Sequence, residues 1–271
     1  MLRVILPKEG PKPSYYNTFI MYIRKILESC SIPYYLEGMI EAGKSVFSMP
    51  IDENHKILVD FSDHTAWLPA WDGLISYFKF HYVERIHGVH EKMYPFAPVS
   101  FYDWNQYAIL KSKIIYRCNS DVVLNMQNPH GGALERRTSV QKMLKESYGK
   151  LAVIERTPSQ VEYWKRINDC LVHVFVPGAR NDMLDRGQLQ YMAFGCCTVA
   201  PPIVDELPYG RKLLPGTHYV QCNSDYSDLL DKIEWCRNNR SACVEIGRNA
   251  KQLFEATCLP DKLWNWILEK V

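Results

Sequence analysis

Two short stretches of this chain gather residue types that handle phosphate. The first, DVVLNMQNPHGGALERR (121–137), is a strand-like run followed by Gly131 and Gly132 and then by Arg136 and Arg137. Glycines let a backbone come close to a ligand, and a guanidinium forms paired, charge-assisted bonds to phosphate. Arginine early in a helix opposes the macrodipole, so its presence there asks for a reason. One helix face presents only one of two adjacent side chains, and Arg137 is the one assigned to a ligand. The plainer reading is a pair of solvated charges. The second stretch, LVHVFVPGARNDMLDRGQLQYMAFG (171–195), is an apolar run that stops at Pro177-Gly178. It then supplies Arg180, Asn181, Asp182, Asp185, Arg186 and Gln190. Such material at a helix start lies where unpaired N–H groups attract anions. For Asp182 and Asp185 the plainer role, capping the helix, is preferred.

The elements that must position these residues follow from spacing. Residues 186–194 read as a helix that buries Leu189, Met192 and Ala193 and turns its first turn toward a cleft. Gly195 ends it, and CCTVAPP follows as a strand. LERRTSVQKMLKESYG reads as a helix stopped by Gly149, and PSQVEYWKRINDC as one with Pro158 in its first turn. KIIYR, DVVLNMQ, LAVIER, LVHVFVPG and THYVQC read as strands. SDYSDLLDKIEWCRNN is a helix with Leu229, Leu230, Ile233 and Cys236 on one stripe and Ser224 or Asp225 as cap. Strand and helix alternate from 121 to 258, the pattern of parallel βαβ units in a doubly wound sheet. Such sheets bind ligands at the carboxyl ends of their strands, which directs attention to the loops after Gln127, Arg156, Val176, Pro201 and Cys222.

The first half is more irregular. LRVIL (2–6), residues 45–49 and KILVDF (56–61) are strand-like, and TFIMYIRKILESC places Phe19, Ile20, Ile23, Ile26 and Leu27 at helical spacing. Residues 67–104 are rich in aromatics and histidines and yield no clear pattern. His81, His87 and His90 fit no compact metal geometry. The adjacent Cys196 and Cys197 are assigned to packing. The fold expected is α/β, divided into residues 1–115, residues 116–258 and a terminal helix, 259–271.

Composition narrows the function. A net charge of +2 without a basic run argues against a dedicated nucleic-acid binder. No apolar stretch approaches the length of a membrane span, and the run opening MLRVILPKEG is too short for a signal peptide. Nine cysteines without CxxC spacing suggest free thiols in a reducing compartment, so a cytoplasmic protein is expected. Aromatics at 13%, seventeen of them tyrosines, fit a carbohydrate site, but an aromatic core is the preferred reading of composition alone.

VHVFVPGARNDMLDRGQLQYMAFGCCTVAPPI, then LPGTHYVQCNSDYSDLLDKIEW, then EIGRNAKQLFEATC, in that order, resemble the C-terminal half of GT-B-type glycosyltransferases of the group 1 or exostosin-like kind. The resemblance implies two facing Rossmann-like domains, the first reduced here, with a nucleotide sugar (UDP or GDP) held by the second and a glycan acceptor by the first. It implies that Arg137 stands near the diphosphate and that Gln190 replaces the ribose-binding Glu. A Gln amide still bonds a ribose hydroxyl but carries no charge. Gly132, Gly178, Arg180, Asp185 and Arg186 complete the expected donor side. No D-x-D occurs in the chain, so a metal-independent reaction with no further cofactor is expected. An inverting transfer needs a base for the acceptor hydroxyl. In VDFSDHT, Asp63 is assigned that role because it falls beyond the strand end, with Asp60 as another candidate and His64 beside it; a turn-forming Asp is the plainer reading. Lys79 in FKFHY is placed on the acceptor side. A non-catalytic nucleotide-sugar or glycan binding protein, or a nucleotide-sugar epimerase or hydrolase, would fit the same scaffold.

Overall fold

The computed structural model describes residues 4–7, 15–37, 41–43, 46–50, 54–61, 73–87, 90–97, 104–155 and 159–271. The chain is of mixed α/β class and forms two compact units. The first comprises residues 1–104, 206–211 and 256–271, and the second comprises 105–205 and 212–255. The division thus lies after Trp104 rather than at 115, and residues 206–211 return to the first unit.

In the first unit a five-stranded sheet runs in the order Glu41–Gly43, Val46–Pro50, Lys56–Asp60, Leu74–Lys79, Met93–Pro95. Its first three strands are antiparallel and its last three parallel, so this is a mixed sheet. A separate parallel pair joins Val4–Pro7 to Tyr34–Glu37. Helix Tyr15–Ser29 buries Ile20, Ile23, Ile26 and Leu27, the apolar face its spacing predicts. Leu263, Trp264 and Ile267 of helix Pro260–Leu268 join the same core. Trp266 is anchored by its indole N–H on the Pro95 carbonyl at 2.9 Å. The short return segment is tied in by Glu206 N–H to the Tyr82 carbonyl and by the Tyr209 hydroxyl to the Lys262 carbonyl.

The second unit contains a five-stranded, wholly parallel sheet. In chain order its strands are Val123–Leu124, Ala152–Val153, Val172–Val174, Thr198–Ala200 and Val220–Gln221. In space the order is second, first, third, fourth, fifth. The chain therefore winds one way from the first strand and the other way from the third, and the winding reverses between those two. Helices Leu134–Tyr148, Gln160–Lys165, Arg186–Ala193 and Leu229–Asn238 belong to this unit, as does helix Arg240–Thr257 up to Glu255. Gly149, at φ 53°, stops the first of them as expected of a left-handed glycine. Ser159 caps the second by accepting the Glu162 N–H; Pro158 lies outside the described residues.

KIIYR does not become a strand. Residues 114–119 adopt no regular element, and the segment is fastened by side chains instead, Ile115 N–H to Asn168 and the Tyr116 hydroxyl to the Leu171 carbonyl. Gly195, at φ 73°, turns the chain out of helix Arg186–Ala193. Helix Arg240–Thr257 lies so close that a Cβ on Gly247 would sit 2.0 Å from the Gly195 carbonyl oxygen. Two glycines without side chains are what permit that approach.

Candidate functional site

The carboxyl ends of the first and third strands carry the candidate site. Gln127, just past the first strand, exchanges two hydrogen bonds with the backbone of Val176: its amide donates to the Val176 carbonyl (3.0 Å) and its carbonyl accepts the Val176 N–H (2.6 Å). A side chain thereby prolongs the strand pairing past the point where the backbones diverge. Asn125 donates to the Val174 carbonyl, and Gln141 holds both Asn125 and the Gln127 carbonyl. This amide lattice fixes the spacing between the two segments, 130–137 and 178–190.

Arg136 and Arg137 both reach across it. Arg137 Nε donates to the Val176 carbonyl (3.1 Å), Nη1 to the Asn128 carbonyl (2.8 Å) and Nη2 to the Asp185 carboxylate (3.1 Å). Its side chain is 5% exposed. Arg136 Nη2 donates to the Gly178 carbonyl at 2.6 Å. The expectation that only one of the two could face the site is therefore corrected: long, flexible stems bring both guanidiniums to neighbouring carbonyls. Arg136 Nε is buried and has no hydrogen-bond partner among the described residues, an uncompensated donor at this spot. Gly132 adjoins Ala179, where an added Cβ would stand in ordinary contact at 3.7 Å, and Gly178 lies beside Asp185 and Met183.

Asp185 caps helix Arg186–Ala193 through the Gly187 N–H (3.0 Å) while its second oxygen meets Arg137. The Gln188 and Leu189 N–H groups bond the Asp185 carbonyl. The Gly187, Gln188 and Leu189 amides of this helix start are thus occupied internally. Arg180 pairs with Asp182 (3.1 Å) and with the buried Asp205 (2.6 Å), whose other oxygen accepts the Leu184 N–H. Asn181 donates to the Ser224 carbonyl and accepts from the Tyr226 hydroxyl. Burial holds that hydroxyl above the usual phenol range, against the nearby charges of Arg136 and Arg137. Loops after the third, fourth and fifth strands therefore interlock around residues 178–186. Arg137 is thus paired with Asp185, and Arg180 with Asp182 and Asp205, while Arg136 meets backbone carbonyls.

Gln190 points elsewhere. It is 8% exposed, and its carbonyl accepts the Trp164 indole N–H at 2.8 Å. Lys79 lies within the first unit's sheet, fully buried and 3.2 Å from Asp60, which also accepts the Tyr77 hydroxyl at 2.6 Å. Its ammonium is committed to the core rather than exposed to an acceptor. Asp63 and His64 lie outside the described residues. Asn125, Gln127, Gln141, Trp164 and Asp205 are participants that sequence reasoning missed; the polar Asn125 and Gln127 inside an apolar strand pattern were the available signal.

A separate groove of about 770 Å³ lies along the edge strand Val220–Gln221, between helices Leu229–Asn238 and Arg240–Thr257. Its polar lining is dominated by Asp231, Glu245, Gln221 and Asn249 with the single cation Lys232, the wrong sign for a diphosphate.

Beneath the sheet, the thiol sulfurs of Cys197, Cys236 and Cys243 lie within 4.8 Å of one another, all buried. Hydrogen bonds from Cys197 and Cys243 hold the Cys236 thiol below the usual thiol range. In the same unit His173 stacks on Tyr191 with ring centroids 3.6 Å apart. Burial keeps it neutral down to about 3.

No protein-family model matches the chain, and no solved structure matches it. Two viral proteins share short regions with it. Over 73 residues (24% of this chain) it is 34% identical to "Uncharacterized protein 179R" of Invertebrate iridescent virus 6. Over 46 residues (17% of this chain) it is 46% identical to "Uncharacterized protein 035R" of Invertebrate iridescent virus 3. The chain spans 6% and 4% of the length of these relatives. No helix among the described residues is long and apolar enough to cross a membrane.

Proposed function

We propose that this chain is a metal-independent glycosyltransferase that moves a sugar from a nucleotide donor to a glycan acceptor. The observation that carries the reading is the convergence of Arg136, Arg137 and Gly178 at the reversal point of a parallel doubly wound sheet, where such sheets bind ligands. The donor diphosphate would lie along Gly132, Gly178 and the unpartnered Nε of Arg136, with Arg186 as a further donor-side residue and Arg180, paired with Asp182 and Asp205, bracing the loop. Arg137 and Asp185 would hold that surface rigid rather than grip the phosphate. A fixed cationic surface stabilises a departing diphosphate without reorganising during the reaction. The two units would form a GT-B-like arrangement, with Asp63 as the acceptor base. Lys79 is not carried into this mechanism.

Nucleotide-sugar binding without transfer is a second reading, favoured by Gln190, whose carbonyl is engaged by Trp164. One experiment separates the two. The protein is incubated without added divalent metal with UDP- and GDP-sugars, with and without glycan acceptors, while nucleoside diphosphate release and thermal stabilisation are followed. Acceptor-dependent release supports transfer. Stabilisation without release supports binding alone, and release without acceptor supports hydrolysis. Neither stabilisation nor release by any donor would overturn both readings.

A further inference from the structure

We propose that Cys197, Cys236 and Cys243, completed by Cys118, form a structural zinc site in the second unit. The four thiols come from four separate segments: ahead of the first strand, ahead of the fourth, late in helix Leu229–Asn238 and early in helix Arg240–Thr257. Three of the sulfurs already lie within 4.8 Å of one another. Four thiolates at about 2.3 Å from a zinc ion, on tetrahedral corners, stand about 3.8 Å apart, so closure asks for shifts of an ångström or less among these three. Cys118 is 1% exposed, and its carbonyl accepts from Arg240, one turn ahead of Cys243 in the same helix; its thiol lies 3.4 Å from the Leu171 carbonyl, outside the group of three, so completing the set asks that side chain to turn toward them.

The donor set is all sulfur, and soft thiolates select zinc over magnesium or calcium. Four protein ligands leave no open position, which marks a structural rather than a catalytic site. Its place agrees: Cys197 immediately precedes Thr198–Ala200, at the amino end of the sheet, whereas the arginine cluster lies at the carboxyl ends. On binding, the zinc ion takes the place of the thiol protons, which pass to solvent. The metal would tie both final helices of the unit to the foot of the sheet, the role a sequence without CxxC spacing conceals. Cys170 and Cys196, whose sulfurs lie 3.6 Å apart, form a separate buried contact and are not part of the set.

The test uses the full chain, produced with zinc in the medium and freed of loosely held metal by gel filtration. Elemental analysis is expected to find zinc in equimolar amount. Replacement by cobalt(II) should give the intense thiolate-to-metal absorption of a tetrahedral sulfur site. C236S and C243S should lose the metal, C118S should weaken retention at least tenfold, and C258S should bind as the parent does. A folded parent protein that carries no zinc and gives no cobalt–thiolate band would overturn the proposal. So would zinc retained at parental affinity by both C236S and C243S, and that result requires no loss of fold to interpret.

Discussion

The guanidinium of Arg137 and the carboxylate of Asp185 meet at 3.1 Å, joining the helix after the first strand to the cap of the helix after the third. Arg137 is almost wholly buried, and each of its three acceptors would lose a partner if it were removed. Arg137→Met is therefore expected to destabilise the chain by about 3–5 kcal/mol in urea unfolding. Asp185→Asn keeps a capping side chain but takes the counter-charge from the buried guanidinium, and should cost about 2–3 kcal/mol. A double-mutant cycle should return a coupling of at least about 0.5 kcal/mol; additive losses would show that the pair does not act together.

Arg136 separates ligand binding from stability. If its Nε meets a diphosphate, Arg136→Ala should weaken UDP or GDP binding by about tenfold or more, as expected for a charged hydrogen bond. Isothermal titration on the parent and the variant reads this directly. Equal affinities in the two would remove Arg136 from the site.

Gly247→Ala tests the closest approach in the second unit. The new Cβ would meet the Gly195 carbonyl at 2.0 Å, backbone against backbone, with no flexible neighbour to yield. A loss of at least about 3 kcal/mol, or failure to fold, is expected. Gly216→Ala provides the contrast: it has a left-handed φ of 74° but open space around it, and should cost about 1 kcal/mol. Melting curves rank the two.

His173 sets a pH dependence. Its folded value is about 3, held down by burial, against an ordinary value of 6.5. Between those values the unfolded chain takes up a proton that the folded chain refuses. Stability is thus greatest above 6.5 and falls as pH drops toward 3, by up to roughly 4 kcal/mol. His173→Phe retains a ring to stack on Tyr191 and removes the titration. The variant's urea midpoint should vary less with pH between 6.5 and 4 than the parent's; parallel curves would discount His173.

Gln190 is expected to matter for stability first. Gln190→Met leaves the buried Trp164 N–H without its acceptor and should cost about 1–3 kcal/mol. Gln190→Glu retains an acceptor and should cost less. Chemical denaturation of both variants checks the order.

The second unit was the more legible half because its signals are local. Period and glycine placement marked Gly149 as a helix stop, and Leu189, Met192 and Ala193 as a buried face, and all three side chains are fully buried. Strand order was not legible, since it depends on which strands meet across space. KIIYR carried a strand-like composition, but bonds from Asn168 and to Leu171 hold it outside the ladder. In the first unit, Leu74–Lys79 hid within a run of aromatics and histidines. The engagement of Arg137 and Gln190 was equally invisible, because Val176, Asp185 and Trp164 reach them only through the fold. The clustered cysteines are separated by 39 and 7 positions along the chain, from 197 to 236 and from 236 to 243, so no spacing rule announces them.

Asp60 and Lys79 occupy facing positions on adjacent parallel strands. Sliding one strand past the other by a single residue would send the ammonium and the carboxylate to opposite sides of the sheet and part the buried pair. The pair works as a key cut for one alignment: misaligned chains meet a steep electrostatic penalty, and the first unit is steered to a unique closure even if the pair adds little to its final strength.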